Sequence, residues 1–474
     1  MAREFLFYDL ETWSLDPPGA YLVEAALQRT DSTFTPIEPQ RTYVCKPVPE
    51  AVPQPEALLV HGKTPQWAEE QGMTEYALAR ELHREFNRPG TCLIGYNNLR
   101  YDDECTRYLF YRNLLDPYTH QYKNGNSRWD VLELVRLAFA LRPELLQWPH
   151  GDDDVSLKLE LLAGANGIEM DQAHDAISDT NATIALAQKL YLGNPRMVDF
   201  AFAQTRTPRL GELAARFLGK VCLHISPRIS RAQGHISLVY PVCRNPSIPK
   251  QLYAVDLSTP VELLLEESPQ QIRELLFTRR EELPPDFMPP RVKRIHLNRA
   301  PLLLETKLLS GQRAAELGVD VNMCHRRYEK LAAEPSLANK LVEVFGEGDA
   351  FPARRDPNYA LYDGFVPDTD RRLAERLHQL DQEQWPDVRP DWRDPRMDSL
   401  WLRLLGRLMP ERLGERQRAA WEQYKAAALG GRISDQAPGV VATMARTQAL
   451  LAEHPGHQGL LDLRTYLQER RIPE

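Results

Sequence analysis

Two acidic residues, Asp9 and Glu11, directly follow the first apolar run of the chain, in the string Asp9-Leu10-Glu11-Thr12. Residues i and i+2 of a strand project from the same face, so both carboxylates are expected to point the same way. Neighbouring carboxylates repel each other unless a cation compensates them, and Mg²⁺ prefers oxygen ligands. The pair indicates a divalent-metal site, and the alternative is a solvated turn.

A histidine and an aspartate five residues apart, His174 and Asp179, lie where apolar periodicity predicts the start of a helix. At a helix start both side chains can face one cavity, and the aspartate lies near the positive end of the helix dipole. The alternative interpretation makes Asp179 a simple helix-start acid and His174 a surface loop residue.

A third acidic candidate, Asp102, follows a predicted strand at 91–96 and a polar turn. Acidic residues at such a place also act as helix caps or as favourable charges at the helix dipole. The sequence alone leaves both roles open for Asp102 and its neighbour Asp103.

Together the three groups form a more specific pattern. The pattern consists of D-x-E-T after the first strand, an aspartate about ninety residues later and H-x-x-x-x-D on a late helix. It resembles that of the DEDDh (DnaQ-like) 3′→5′ exonucleases, which have an RNase H-like fold. Within that superfamily the chain is similar to the bacterial exonuclease I family. The strings that carry this similarity are GYNNLRYDDE (95–104), NSRWDVLELVR (126–136), ALRPELLQWP (140–149), ANGIEMDQAHDAISD (165–179) and LYDGF (361–365).

The resemblance implies an exodeoxyribonuclease that digests single-stranded DNA from its 3′ end and releases 5′-mononucleotides. Two Mg²⁺ ions, for which Mn²⁺ can substitute, are expected, because a pair of divalent ions can activate water, orient the phosphate and offset charge on the leaving oxygen. Asp9, Glu11 and Asp179 are expected to hold the ion that binds the attacking water, and Asp9 and Asp102 the second ion. His174 is expected to accept the proton from that water.

The same resemblance implies DNA contacts around the catalytic residues. Glu11, Thr12 and Trp13 are expected to meet the terminal nucleotide. Basic and aromatic residues interleave over 100–136, which suits phosphate contacts and base stacking on single strands, although some of these rings are also candidates for core packing. The further residues expected to bind DNA are Arg107, Tyr118, Tyr122, Arg136 and Lys158.

The elements that must position these residues alternate between strands and helices. Buried strands are predicted at 4–9 and 21–28, and the helices that follow include one at 128–141. This order predicts an α/β sheet with helices on its faces. From about 220, short strands with Gly and Pro between them predict a small antiparallel barrel or sheet.

These patterns and the resemblance predict three domains and a linker. The expected architecture is an RNase H-like α/β exonuclease domain (1–195), a basic SH3-like domain containing a β-barrel (196–345), a linker (346–358) and an all-α C-terminal domain (359–474).

Charge and composition limit the remaining possibilities. The 474 residues have a formal net charge of −8, with 43% hydrophobic and 26% charged residues, as in globular proteins and unlike disordered or fibrous ones. Residues 1–194 carry 29 acidic and 17 basic side chains, whereas residues 195–345 carry 16 acidic and 22 basic ones. The middle region can therefore face phosphate despite the acidic total.

The sequence indicates no membrane span, signal peptide or C-x-x-C pair, so a cytoplasmic protein with reduced cysteines is expected. A monomer is expected as well. The resemblance implies a role in DNA repair and recombination. It also implies a protein partner, the C-terminal tail of the single-stranded-DNA-binding protein, which would suit a basic pocket near the barrel. A DEDDh exonuclease acting on RNA and a non-catalytic single-strand-binding module remain the alternatives.

Overall fold

A computed structural model describes residues 4–151, 155–170, 174–205, 207–297, 301–346, 354, 356–435 and 437–470. The chain forms two compact units: residues 1–128, 169–185 and 352–474 make up the first, and residues 129–168 and 186–351 the second. Most of the predicted linker (346–358) lies outside the described residues.

The strands are β1 (Glu4–Thr12), β2 (Leu22–Thr30), β3 (Arg41–Val44), β4 (Thr91–Gly95), β5 (Ser127–Asp130), β6 (Cys222–Ile225), β7 (Ile236–Arg244), β8 (Gln251–Asp256), β9 (Val292–His296) and β10 (Leu302–Leu304). The α-helices up to the middle of the chain are α1 (Pro55–His61), α2 (Pro65–Gln71), α3 (Glu75–Phe86), α4 (Asp102–Arg112), α5 (Val131–Leu141), α6 (Leu159–Ala165), α7 (Ala176–Gly193), α8 (Pro195–Ala203), α9 (Thr207–Phe217) and α10 (Glu262–Glu266). The later ones are α11 (Pro269–Phe277), α12 (Gly311–Glu316), α13 (Val321–Ala332), α14 (Leu337–Gly346), α15 (Asp368–Leu377), α16 (Pro395–Leu408), α17 (Glu415–Leu429), α18 (Val440–Glu453) and α19 (Gln458–Glu469).

The N-terminal part of the chain contains a mixed sheet with the strand order β3-β2-β1-β4-β5. β1 runs antiparallel to β2 and parallel to β4. Phe5 and Phe7 pack against Phe34 on one face of β1, while Leu6 and Tyr8 enter the core on the other face. A strand buried on both faces has a continuous apolar sequence. Because β1 and β4 are parallel, the acidic residues at the carboxyl end of β1 and those after β4 come to one edge of the sheet.

The predicted helix at 128–141 is wrong at its start, because residues Ser127–Asp130 form the edge strand β5. The helix α5 begins only at Val131, where the side chain of Asp130 accepts a hydrogen bond of 2.9 Å from the N–H of Leu132. Such a cap satisfies one of the free N–H groups at the helix start. The residues WDVLELV are compatible with a strand or with a helix, and the Asp130 cap determines where β5 ends and α5 begins.

The C-terminal helices α15–α19 belong to the first unit. The buried rings of Trp385, Trp401 and Trp421 lie in one apolar cluster that also contains Tyr76 of α3 and Tyr111 of α4. The helices thus bury apolar side chains against α3 and α4, as amphipathic helices must. None of the helices that the structure describes has the length and apolar character needed to span a bilayer.

The second unit contains an antiparallel sheet in the order β10-β6-β7-β8-β9. Its buried side chains, among them Leu252 and Ile295, pack with Leu213 and Phe217 of α9. The prediction of a small antiparallel sheet in this region is confirmed. Two helices, α8 and α9, precede the sheet without having been predicted.

Candidate active site

Three carboxylates meet where β1 ends. Asp9 and Glu11 project from the carboxyl end of β1, and Asp179 lies in the first turn of α7. One oxygen from each of the three side chains lies within 4.8 Å of the others. Glu11 is 8% exposed, so its charge is largely removed from water. This all-oxygen donor set fits a hard divalent cation.

A fourth carboxylate, Asp102, is held against the same strand. Its Oδ1 accepts a hydrogen bond of 3.2 Å from the backbone N–H of Leu10, the residue between Asp9 and Glu11. Asp102 is 7% exposed and begins α4, so the helix-start interpretation and the site interpretation both apply to it. The structure therefore brings together Asp9, Glu11, Asp102 and Asp179, as the sequence predicts.

Burial and mutual repulsion dominate the electrostatics of this carboxylate cluster. Burial, followed by the charges of Asp179 and Asp102, raises the pKa of Glu11 to about 9. The pKa of Asp9 also lies well above its ordinary value, because of burial first and then of Asp102 and Glu11. Groups so arranged resist full ionisation on their own and favour bound cations that offset their charge.

His174 lies two residues before Ala176, the first residue of α7, and has a left-handed backbone conformation, with φ 61°. Its side chain is exposed. The next residue, Asp175, starts the helix: its Oδ2 accepts a 3.3 Å hydrogen bond from the N–H of Ser178, and its carbonyl accepts one of 2.9 Å from the N–H of Asp179. His174 and Asp179 are thus both held at the first turn of α7.

A cation that the sequence did not indicate lies beside this turn. The ammonium of Lys63 lies 2.9 Å from Oδ1 of Asp175 and 3.4 Å from Oε2 of Glu24. Glu24 faces Glu11 directly across the β1–β2 pair. Lys63 follows the end of α1 and is more than a hundred residues from Asp175, so no local spacing could have revealed the contact.

Thr12 and Trp13 continue β1 past the carboxylates. The Thr12 hydroxyl lies 2.5 Å from the hydroxyl of Tyr101 and donates a 2.8 Å hydrogen bond to the carbonyl of Ser14. The Trp13 ring is 1% exposed and packs edge-on against His61 at 5.6 Å. Because the ring is buried, only the backbone of Trp13 is available for the predicted contact with a nucleotide.

Arg107 and Tyr118 form a polar group on and after α4. The Arg107 guanidinium pairs with Glu104, lies 6.0 Å from the Tyr118 ring centroid and donates a 3.0 Å hydrogen bond to the hydroxyl of Tyr362. Tyr362 belongs to LYDGF (361–365), one of the strings that carry the family similarity. Tyr122, the next predicted contact, is 54% exposed.

The last two predicted DNA contacts belong to the second unit. Arg136 is 6% exposed and pairs with Glu133 at 2.6 Å within α5. Lys158 is exposed and directly precedes α6.

Family models match nearly the whole chain. An exonuclease model matches residues 6–187, an exonuclease I SH3-like domain model matches residues 213–347, and an exonuclease I C-terminal domain model matches residues 355–470.

Whole proteins of known structure or activity are similar as well. Exodeoxyribonuclease I of Escherichia coli (strain K12) is 35% identical over 422 residues, 89% of each chain. A crystal structure of E. coli exonuclease I with a dA16 oligonucleotide has a TM-score of 0.93 and 32% identity, covering 99% of this chain and 100% of the other. The zinc-bound form of an E. coli complex with single-stranded DNA has a TM-score of 0.90 and 32% identity, covering 99% and 98%.

Proposed function

The chain belongs to the exonuclease I family and is an exodeoxyribonuclease acting on single-stranded DNA, and we propose that it hydrolyses the 3′-terminal phosphodiester with two divalent ions. The observation that carries this proposal is the carboxylate cluster, in which oxygens of Asp9, Glu11 and Asp179 lie within 4.8 Å of one another. Burial and mutual repulsion raise the pKa values of Asp9 and Glu11, and bound cations would offset this repulsion, which supports the proposal.

The four carboxylates would together bind the two ions. Asp9, Glu11 and Asp179 would hold the ion next to the attacking water, and Asp9 and Asp102 the second ion. When bound, divalent ions of this kind supply a nucleophile at neutral pH and offset the charge of the leaving oxygen. The zinc-bound form of the E. coli exonuclease I complex supports a divalent-ion site, and we propose Mg²⁺ as the native ion, with Mn²⁺ as a substitute.

His174 would act as the general base. Histidine changes its charge near neutral pH and can accept a proton from water. His174 stands one turn before Asp179, and its exposed ring is open to an incoming strand end. Arg107, Tyr118 and Tyr122 would bind the strand upstream, together with Arg136 and Lys158.

Two variants and one control test the assignment. Asp9→Ala should abolish release of mononucleotides from 3′-labelled single-stranded DNA in Mg²⁺. His174→Ala should abolish release as well but leave the Kd for DNA nearly unchanged. Asp435→Ala, at an exposed acid, should digest at the wild-type rate. Digestion by Asp9→Ala at the wild-type rate would overturn the metal assignment.

RNA as substrate is the less favoured alternative, because the structural relatives described above contain DNA. A non-catalytic binding module is disfavoured because all four carboxylates and His174 are present. Side-by-side digestion of end-labelled single-stranded DNA, duplex DNA and RNA distinguishes these functions.

We further propose that the chain binds the C-terminal tail of the single-stranded-DNA-binding protein. The second unit has a cavity of about 340 Å³ whose lining includes Leu137, Phe200 and Leu303. Among the described residues that line this cavity, four are basic, Arg142, Arg196, Arg216 and Lys307, and one is acidic, Glu305, which pairs with Arg216 and Lys307. An apolar pocket with basic residues around it fits an acidic, hydrophobic tail. A labelled tail peptide should bind wild type and lose affinity for Arg142→Ala.

The cellular setting is part of the same proposal. We propose a cytoplasmic monomer that acts in DNA repair and recombination, with the domain bounds given above. Light scattering of the purified chain tests the monomeric state, and survival of a deletion strain after DNA damage tests the role.

A further inference from the structure

Lys63 lies in the loop that leaves α1. Gly62 ends that helix in the left-handed region, with φ 70°, and so turns the chain toward β2 and the start of α7. The N–H of Lys63 donates a 3.0 Å hydrogen bond to Nδ1 of the buried His61, which fixes the loop. The Lys63 side chain is 20% exposed, and its ammonium reaches two carboxylates.

The two carboxylates belong to separate parts of the site. Asp175 directly follows His174 and also caps α7, whose first turn carries Asp179. Glu24 lies on β2, opposite Glu11. A single ammonium thus connects the histidine turn to the strand pair that carries the carboxylate cluster.

The positive charge of Lys63 lies among carboxylates that repel one another. Like charges directly opposite each other on paired strands destabilise the pair, and Glu24 and Glu11 form such a pair. Burial alone would lower the pKa of Lys63, but the carboxylates of Asp175 and Glu24 raise it above its ordinary value, so the side chain stays protonated. The same charge acts against the repulsion at Glu11.

We infer that Lys63 is a positioning residue for the hydrolysis: it holds the His174–Asp175 turn against the sheet edge so that the His174 ring faces the carboxylate cluster. The inference rests on the proposed role of His174 as general base. The ammonium of Lys63 contacts Asp175 and Glu24, which are not among the proposed metal ligands. Its effect passes through Asp175, whose carboxylate it fixes from one side while the helix start fixes it from the other.

Steady-state kinetics on single-stranded DNA with Mg²⁺ test the inference in the full-length protein. Lys63→Met should lower kcat by about 10- to 100-fold, since small displacements of a catalytic group cost rates of this order, and should leave KM near wild type. Lys63→Arg should restore most of kcat, because a guanidinium also bridges two carboxylates. Lys425→Met, which removes a 2.7 Å lysine–glutamate pair elsewhere in the chain, is the matched control and should keep wild-type kcat.

A double variant separates positioning from a general structural effect. Because His174→Ala loses steady-state turnover, its residual single-turnover rate is measured with enzyme in excess over labelled DNA. If Lys63 acts through His174, then adding Lys63→Met to His174→Ala should lower this residual rate little further, because the group that it positions is gone. Multiplying losses would overturn the inference. Hydrogen exchange gives a readout apart from activity: the amides of residues 175–179 should exchange faster in Lys63→Met and at the wild-type rate in Lys425→Met.

Failure of the inference and failure of the proposed function give different results. Wild-type kcat for Lys63→Met, together with an inactive His174→Ala, would overturn only the positioning role. Full activity of His174→Ala would overturn the proposed base itself.

Discussion

The hydroxyl of Tyr8 donates a hydrogen bond of 2.8 Å to Oδ1 of Asp103. Both residues are almost fully buried, with Tyr8 2% and Asp103 0% exposed. Tyr8 directly precedes Asp9, and Asp103 directly follows Asp102, and both of these neighbours belong to the carboxylate cluster. Asp103 also pairs with Arg128, which offsets its charge. A buried link beneath the site therefore fixes β1 against the start of α4 and with it the spacing between Asp9 and Asp102.

Replacing Tyr8 with Phe should remove this link while keeping the ring in the core. A buried acceptor that loses its partner costs about 1–3 kcal/mol, so the thermal midpoint should fall. Because the spacing of the carboxylates is less well fixed, kcat should also fall, and the Mg²⁺ concentration for half-maximal activity should rise. Melting curves and a Mg²⁺ titration measure the two effects. Tyr43→Phe is the control, and an unchanged Mg²⁺ requirement in Tyr8→Phe would contradict the prediction.

The metal-free protein should lose stability as the pH rises. The pKa of Glu11 is about 9 in the folded chain against an ordinary 4.5, chiefly through burial. Between those values the folded state binds more protons than the unfolded state, so the free energy of unfolding decreases with increasing pH. The melting temperature in EDTA should therefore decline from about pH 5 to about pH 9, a range set by this shift.

Glu11→Gln should flatten part of that decline, since an amide carries no charge at any pH, and saturating Mg²⁺ should remove it in the wild type. Glu70→Gln, at an exposed glutamate, should keep the wild-type slope. Equal slopes for Glu11→Gln and wild type in EDTA would show that Glu11 does not titrate as described.

The sequence predicts the residues of the carboxylate cluster better than it predicts the residues that hold them in position. Asp9, Glu11, Asp102 and Asp179 each stand next to a local signal, either the end of an apolar run or the start of a periodic helix. These signals left a structural role open for each residue, and the resemblance of the whole pattern to DEDDh exonucleases identified the four together. Parallel pairing of β1 with β4 then brings the two acidic segments to one edge, which follows from the α/β order.

Residues that act through tertiary contacts have no such signal. Lys63 is one lysine in a loop after a short helix, and its partners lie on β2 and α7. Trp13 is predicted to contact DNA, yet the turn after β1 directs its ring into a small core with Val23 and Ala68. The strand β5 was also missed, because a capping aspartate rather than a change of period marks its end.

Tyr122 should contribute to DNA binding through its ring. The side chain is 54% exposed in the first unit, so stacking an unpaired base on it requires no opening of the core. Stacking on an aromatic side chain contributes about 1–3 kcal/mol per base, which corresponds to an increase in Kd of about 5- to 150-fold for Tyr122→Ala. Fluorescence anisotropy with a labelled oligonucleotide in EDTA measures this Kd without digestion. Tyr122→Phe keeps the ring and should bind like wild type, whereas equal losses in both variants would assign the effect to the hydroxyl.

Arg407 should be essential for the stability of the first unit. Its guanidinium on α16 lies 2.5 Å from Glu50 and 3.4 Å from Glu75, and the side chains of these acids are 0% and 2% exposed. Arg407→Met would leave two buried carboxylates without this cation, and breaking a buried ion pair in this way costs about 3–5 kcal/mol. The urea midpoint of the first unit should therefore fall markedly, as followed by tryptophan fluorescence. Arg412→Met removes a pair of 3.8 Å between side chains that are 47% and 82% exposed, and such surface pairs contribute little. Similar midpoints for the two variants would mean that other groups compensate Glu50 and Glu75.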